Sequence, residues 1–378
     1  LSRPLRILQL IESASGGSGL NATDLSQALA KQGHDVHLVF SPKRSDEGFL
    51  EQVRLLQAAG GTATEFPMER EVGRDDARAV RAFRRLLRAE GPFDVVHLQS
   101  SKAGAIGRLA KPGFRHVTVY TPHLFRTASP GLGRAAKLIY GAIERFLDRF
   151  SDATICVSEY ERKHALSIGL PARKLHTIYN GLVPPPIGDR QARRAELGYA
   201  PTDVVVGFVG RLMPQKAPAH LVEAFKRLKD APAAKLLMLG DGPLRAEAEA
   251  AAQPIKDRVT WLGPAKGTDW MAAMDILAMP SVAEGFSYVL LEAAANNLAI
   301  LATDVGGNGE FVKSGETGLL VPSGDVEAYA AALQSLVDSP DLRERLSGAA
   351  KASLRDFTPE VMVEKTLALY RSLLEKRG

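Results

Sequence analysis

Short apolar runs and helical patterns alternate along this chain from its first residues. Leu5 to Ile11 reads as a strand, Leu20 to Lys31 as a helix ending at Gly33, Val36 to Phe40 as a strand and Glu47 to Ala59 as a helix. Val95 to Leu98, Val117 to Tyr120 and Ala153 to Val157 are short β-rich runs between turn signals and predict buried strands. Strands that alternate with helices imply an α/β fold whose parallel sheet is covered on both faces. Val183-Pro184-Pro185-Pro186-Ile187 breaks the rhythm, because consecutive prolines suit neither a helix interior nor a central strand. Beyond this linker the pattern restarts, with Val204 to Val209, Lys235 to Leu239, Val259 to Leu262, Ile276 to Met279 and Ala299 to Ala302 as strands. The prediction is two α/β domains, 1–186 and 187–378. The last helical stretch, Pro359 to Lys376, has enough apolar residues to dock on a domain, and a return onto the N-terminal one stays open.

Composition narrows the class. A chain of 378 residues with 45% hydrophobic and 24% charged residues has the profile of a globular protein too long for one core. Its single cysteine, Cys156, allows no intramolecular disulfide and fits a reducing, cytoplasmic setting. The apolar run from Ile7 to Ile11 is interrupted by Gln9 and leads into a glycine loop, so it reads as a strand and not as a secretory signal. No run approaches the ~18 apolar residues of a membrane span. The net charge of +5 is unevenly spread: residues 1–187 hold 26 Lys and Arg against 18 Asp and Glu, and the remainder holds 22 against 25. The basic half should therefore meet something anionic: a lipid headgroup, a phosphorylated acceptor or, last, nucleic acid.

Candidate chemistry sits where strands give way to loops. In open α/β sheets ligands bind beyond the carboxyl ends of strands, where a helix start presents free N–H groups. Gly16-Gly17-Ser18-Gly19 has that position after the first strand, although the order is neither a dinucleotide fingerprint nor a P-loop, and a tight turn without a ligand is an equal alternative. In the second half Gly210-Arg211 ends a strand, Lys216 follows, and Gly240-Asp241-Gly242-Pro243 ends the next strand. A guanidinium and an ammonium at a strand end could clamp a diphosphate, or could be ordinary solvated charges. Glu284-Gly285-Phe286-Ser287-Tyr288-Val289-Leu290-Leu291-Glu292 shifts the balance. It follows a strand and is read as opening a helix, with Glu284 at the loop or first turn beside the N–H groups of Gly285, Phe286 and Ser287. Glu292 falls about two turns later among apolar neighbours. Buried carboxylates need partners, and sugar or ribose hydroxyls are suitable ones. A capping Glu284 with a solvent-facing Glu292 is the plain alternative.

Taken together these segments resemble the retaining GT-B glycosyltransferases of family 4, the group 1 transferases. The resemblance covers nearly the whole chain and keeps the order Gly16-Gly17, Thr121-Pro122-His123, Val157-Ser158, Asn180-Gly181, Gly210-Arg211-Leu212 with Lys216, Gly240-Asp241-Gly242-Pro243, Glu284 and Glu292, Gly306-Gly307 with Glu310, and Gly318-Leu319-Leu320-Val321. It implies two Rossmann-like domains with parallel sheets facing across a cleft, an N-terminal one for the acceptor and a C-terminal one for a nucleotide-sugar donor, UDP- or GDP-linked. Arg211 and Lys216 would hold the donor diphosphate, with Gly210 at the strand end. Glu284 would bind donor-sugar hydroxyls with the N–H groups of Gly285 to Ser287, and Glu292 the ribose. His123 would stand beside the donor sugar, or be a buried structural histidine after a proline turn. Gly16-Gly17 would approach the phosphates or the acceptor, and Gly306-Gly307 would form a turn in the cleft. The chain departs from the family at Ala217-Pro218, where glycine usually follows the lysine, and at Tyr288, where a smaller or amide side chain is common.

No Asp-x-Asp occurs in the sequence, so Arg211, Lys216 and the helix start at Gly285 are expected to replace a divalent ion, with no cofactor and no metal. The resemblance implies retention of anomeric configuration, and a role in surface polysaccharide or glycolipid assembly, lipopolysaccharide included. The acceptor is expected to be a glycan or lipid-linked molecule, and nucleic acid is not expected. Arg78, Arg81, Arg84, Arg85 and Arg88 share one helical face. Leu132 to Phe150 pairs an apolar stripe (Leu138, Ile139, Ile143, Phe146, Leu147) with Arg134, Lys137, Arg145 and Arg149. That pattern fits a peripheral helix on the inner, anionic face of a membrane, a helix packed on the sheet with a solvated basic face, or a frame for the acceptor. Two rival functions remain: a nucleotide-sugar 2-epimerase of the same architecture and a non-catalytic nucleotide-sugar-binding protein.

Overall fold

A computed structural model describes residues 3–69, 73 and 75–377. The chain forms two compact units, Leu1–Val183 with Thr358–Gly378, and Pro184–Phe357. The proline run opens the second unit, and that unit ends at Phe357 rather than at the chain's end.

In the first unit the strands are β1 (Arg6–Ile11), β2 (Asp35–Phe40), β3 (Thr62–Glu65), β4 (Val95–Gln99), β5 (Val117–Thr121), β6 (Ala153–Cys156) and β7 (Leu175–Thr177). They make one parallel sheet in the order β3-β2-β1-β4-β5-β6-β7. Its two faces bury separate clusters. Ile7, Ile11, Val95, Val117 and Val119 pack with Leu25 and Leu29 of the helix Gly16–Lys31. Leu8, Leu10, Val96, Leu98 and Tyr120 pack with Phe83 and Leu87 of the helix Asp75–Glu90. Met362, Val363, Leu367 and Tyr370 of the last helix, Pro359–Glu375, join the first cluster. The returning chain passes close over Gly181, where a Cβ would lie 2.4 Å from the Thr358 carbonyl oxygen. Asn21 donates to the Asn180 carboxamide oxygen at 3.0 Å beside the same crossing. The Asn180-Gly181 pair thus seats the returning segment.

The second unit has β8 (Val204–Val209), β9 (Ala234–Leu239), β10 (Val259–Leu262), β11 (Ile276–Met279), β12 (Ala299–Thr303) and β13 (Leu319–Val321), all parallel, in the order β10-β9-β8-β11-β12-β13. Phe208, Leu236, Met238, Ile276 and Leu301 pack against Leu221, Phe225 and Leu333.

β3, β7 and β13 were not predicted as strands, and each is a sheet edge. An edge strand is covered on fewer sides, so it needs no continuous apolar run. The helix predicted from Leu20 starts at Gly16 instead. Packing on the sheet overrides the poor helix propensity of the glycines.

Strand order reverses between β1 and β4 in one sheet and between β8 and β11 in the other. Loops leaving neighbouring strands in opposite directions open a crevice there, the usual ligand position in such sheets.

Candidate active site

In the second unit that crevice is lined by the loops after β8 and β11. Lys216 Nζ donates to Glu284 Oε1 at 2.6 Å, and Ser281 Oγ donates to the same oxygen at 2.6 Å. Glu284 is buried and Lys216 half-buried. Val282 N donates to the Gln215 carbonyl oxygen at 2.8 Å, and Gln215 Nε2 to that of Ala283 at 2.9 Å, so the two loops are stitched together. Among the described residues Glu284 Oε2 has no hydrogen-bond partner, and Lys216 spends one of its three donors on Glu284. Arg211 is exposed and makes no ion pair among the described residues. Leu212 N donates to the Asp241 carbonyl oxygen at 2.9 Å, tying the Gly240-Asp241-Gly242 loop beside Gly210 and Arg211.

Glycines close this loop. Gly306 has φ +59, and a Cβ there would sit 1.8 Å from the Glu284 carbonyl oxygen, while Gly307 N donates to the Gly285 carbonyl oxygen at 3.0 Å. The Gly306-Gly307 turn therefore clasps the backbone that carries Glu284, a contact any side chain would block.

The helix starts later than the sequence predicts, at Tyr288 with Ser287 as its N-cap, and runs to Ala295. Glu284 to Phe286 form a buried loop ahead of it, so Gly285 does not lie in its first turn. The backbone N–H groups of Gly285 and Ser287 are unengaged among the described residues. The Phe286 ring stacks on Phe357 at 5.4 Å, and Phe357 meets Phe311 edge-on at 5.3 Å. This stack engages the Phe286 side chain within the second unit. Glu292 stands one turn into the helix rather than two, half-buried, with no partner for its carboxylate among the described residues. Burial raises its carboxyl to about 7, opposed by Lys266.

Ala217 takes a left-handed backbone, φ 45 and ψ 53, just before the helix Pro218–Lys226. Glycine adopts that conformation without strain, which is the physical reason the family pattern places one there. Pro218 fits the first helical position, where its missing N–H is no loss.

In the first unit, Gly16 and Gly17 are exposed in the first turn of their helix, which holds no acidic residue. His123 follows β5 with φ 61, and its Nε2 lies 2.6 Å from Gln99 Oε1. Burial lowers the His123 ring to about 3, so it is neutral near pH 7. Gln9, His97, Gln99 and Tyr370 are buried near it in two hydrogen-bonded sets, Gln9 with Gln99 and His97 with Tyr370. Sequence reading missed these residues, although polar positions on one face of otherwise apolar strands were a signal that could have found them. Among the described residues no group of His, Cys, Asp and Glu could hold a metal ion.

The basic stretches fare differently. On the helix Asp75–Glu90, Arg84 donates to the Ala110 and Pro112 carbonyl oxygens, Arg84 and Arg88 lie over the Phe114 ring, and Arg78 pairs with Asp75. Much of that face is therefore engaged within the unit. The helix Arg134–Leu147 turns most of its apolar stripe outward: Leu138 and Ile139 are 74% and 61% exposed, with Ile143 and Phe146 beside them, while Leu147 is buried. Its buried side, Gly141, Glu144 and Leu147, carries a charge, with Glu144 on Arg108 at 2.9 Å and Asp148 just beyond on Lys174 at 3.0 Å. The helix is thus not packed on the sheet through its apolar stripe. No helix among the described residues is long and apolar enough to cross a membrane.

Two parallel Rossmann-like sheets, each with a loop-built crevice, define a two-domain α/β architecture, and comparison gives the family. Residues 16–181 match the glycosyl transferase 4-like domain and residues 203–339 the glycosyl transferases group 1. The D-inositol 3-phosphate glycosyltransferase of Nocardia farcinica is 32% identical over 334 residues, 82% of this chain and 71% of that protein. The alpha-maltose-1-phosphate synthase of Mycolicibacterium smegmatis is 33% identical over 310 residues, 74% of this chain and 79% of that protein. The crystal structure of Anabaena HepE in complex with UDP and glucose shares the fold, with a TM-score of 0.83 at 22% identity over 97% of this chain and 100% of that one. This chain belongs to the group 1 glycosyltransferases, family 4, of GT-B architecture.

Proposed function

We propose that the second unit binds a UDP-linked sugar and that the chain transfers the sugar, with retention of configuration, to a glycan or lipid-linked acceptor recognised by the first unit. The observation that carries this reading is the convergence of Lys216, Ser281 and Glu284 at the crevice between β8 and β11. Two donors of Lys216 remain for a diphosphate oxygen, and the exposed Arg211 adds a planar pair. Glu284 Oε1 is occupied and Oε2 is left to accept a sugar hydroxyl, with the N–H groups of Gly285 and Ser287 nearby. Glu292, unpartnered on the adjoining helix, suits the ribose hydroxyls. His123 offers a neutral imidazole to the reacting sugar. In the transfer the bond from the anomeric carbon to the diphosphate oxygen breaks, and the acceptor oxygen bonds to that carbon on the same face. The acceptor's proton leaves with the diphosphate. Lys216 and Arg211 offset the charge that grows on the departing group, in the role a divalent ion could otherwise fill.

UDP is favoured as the donor nucleotide by the ligands of HepE. The names of two relatives each carry a sugar or cyclitol phosphate, and the basic first unit suits an anionic acceptor. The outward apolar stripe of Arg134–Leu147, edged by Arg134, Lys137, Arg145 and Arg149, suits the inner face of an anionic bilayer, in keeping with surface polysaccharide or glycolipid assembly.

The donor reading is tested by melting the protein with UDP, GDP and their glucose conjugates in excess EDTA. UDP should raise Tm without a metal; no shift with any nucleotide would remove the reading. Flotation with vesicles of anionic lipid tests the surface. The wild type should float and the Leu138→Glu/Ile139→Glu variant should not, with equal Tm; equal flotation of both would refute the membrane contact.

A further inference from the structure

A chain of polar side chains crosses the core of the first sheet, where the fold itself asks for apolar ones. Gln9 lies in β1, His97 and Gln99 in β4 and Thr121 at the end of β5. The register pairs Gln9 with His97 and Gln99 with Thr121, so all four project from one face. That face otherwise carries Ile7, Ile11, Val95, Val117 and Val119. All four polar residues are buried, so each needs a partner to offset its lost hydration.

The partners fall into two hydrogen-bonded strings. Gln99 Nε2 donates to Gln9 Oε1 at 2.9 Å, which turns Gln99 Oε1 toward His123. An acceptor 2.6 Å from His123 Nε2 requires the proton on that nitrogen. On the same face the Tyr370 hydroxyl lies 2.6 Å from His97 Nδ1, and His97 Nε2 lies 2.7 Å from Thr121 Oγ1. Gln9 also faces Tyr370, as an electrostatic contact, because Gln9 Nε2 lacks a partner of good geometry. Burial lowers both His97 and His123 to about 3, so each ring is neutral and carries one N–H. His123 and Leu124 hold positive φ, 61 and 155, a strain that persists only where surroundings fix it.

We propose that Gln99, held by Gln9, is a positioning residue that locks His123 in the Nε2–H tautomer and leaves Nδ1 as its hydrogen-bond acceptor toward substrate. The proposal rests on the reading that His123 belongs to the active site.

Protein labelled with 15N in its histidine rings tests it, as wild type, Gln99→Leu and Gln99→Glu, with His123→Ala giving the assignment. The wild-type His123 ring should be the Nε2–H tautomer and should not titrate between about pH 5 and 8. In Gln99→Leu the tautomers should mix. Gln99→Glu keeps the acceptor oxygen and adds a charge, so it should keep Nε2–H and bring protonation into that window. UDP release from UDP-glucose should fall about tenfold to a hundredfold in Gln99→Leu at near-constant donor KM. Gln99→Leu/His123→Ala should be no slower than His123→Ala alone. An unchanged His123 tautomer and titration in both Gln99 variants overturns the proposal, and so do multiplying losses in the double variant. Wild-type turnover in His123→Ala would instead remove His123 from the active site.

Discussion

At its crevice the first sheet gathers Gln9, His97, Gln99 and Thr121, neutral groups within the strands, whereas the second gathers Lys216 and Glu284, charged groups on loops beyond the strand ends. The placement follows from hydration. A charge inside a sheet would lose several kcal/mol of solvation, while a neutral amide or imidazole needs only a partner. Charged groups on loops can answer the charge of a leaving group, and neutral groups in strands can fix an orientation. The same topology thus carries two kinds of polar side-chain set.

The sharpest break is expected on the charged side. Lys216→Ala should slow UDP release from UDP-glucose by about 10²–10³-fold, the loss typical of one preorganised donor. Ser281 still holds Glu284, so Tm should fall by only about a few degrees. Turnover near that of the wild type would show that Lys216 does not face the leaving group.

Acid should act next, and on the neutral side. His97, His116 and His123 all lie in the first unit, and burial lowers each ring to about 3, against about 6.5 in an unfolded chain. Each favours the folded state above about pH 6.5, and that stability is lost as pH falls toward 3, by up to about 1.4 kcal/mol per pH unit for each group. Melting curves from pH 7.5 to 5 should show the decline, and His116→Gln should flatten it.

Glu292 reverses the sign. Its carboxyl is raised from 4.5 to about 7, so stability present at low pH is lost as pH rises through that range. Glu292→Gln should raise Tm by ~2–4 °C at pH 8 and not at pH 4.5, while weakening UDP binding. An equal gain at both pH values would exclude the charge as the cause. The smallest effect is expected at Ala217. Its left-handed backbone costs about 1–2 kcal/mol, partly offset in glycine by about 0.5–1 kcal/mol of chain entropy, so Ala217→Gly should raise Tm by ~1–3 °C.

Much of this was legible in the residues. The inner strands of both sheets read directly, because burial on two faces demands short β-rich apolar runs. The glycine pairs and the Glu284 and Glu292 spacing marked the crevice, and the resemblance they carried agrees with the family found by comparison. The edge strands β3 and β7 escaped because an edge needs no such run, and β13 because its apolar run, Leu319–Val321, is only 3 residues long. Gln9 was visible as an interruption in the first apolar run, but its meaning required knowing that His97 is its neighbour across the sheet.

Local periodicity fixed the class of fold, the strands at the centre of each sheet and the loops where chemistry gathers, since these depend on residues close along the chain. Tertiary structure decided that Lys216 meets Glu284 across 68 residues, that the last helix rejoins the first unit, and that Arg134–Leu147 turns most of its apolar stripe outward. An amphipathic pattern states that two sides of a helix differ. Which side is buried depends on the partners that distant parts of the chain supply, here Arg108 for Glu144, and Lys174 for the adjoining Asp148.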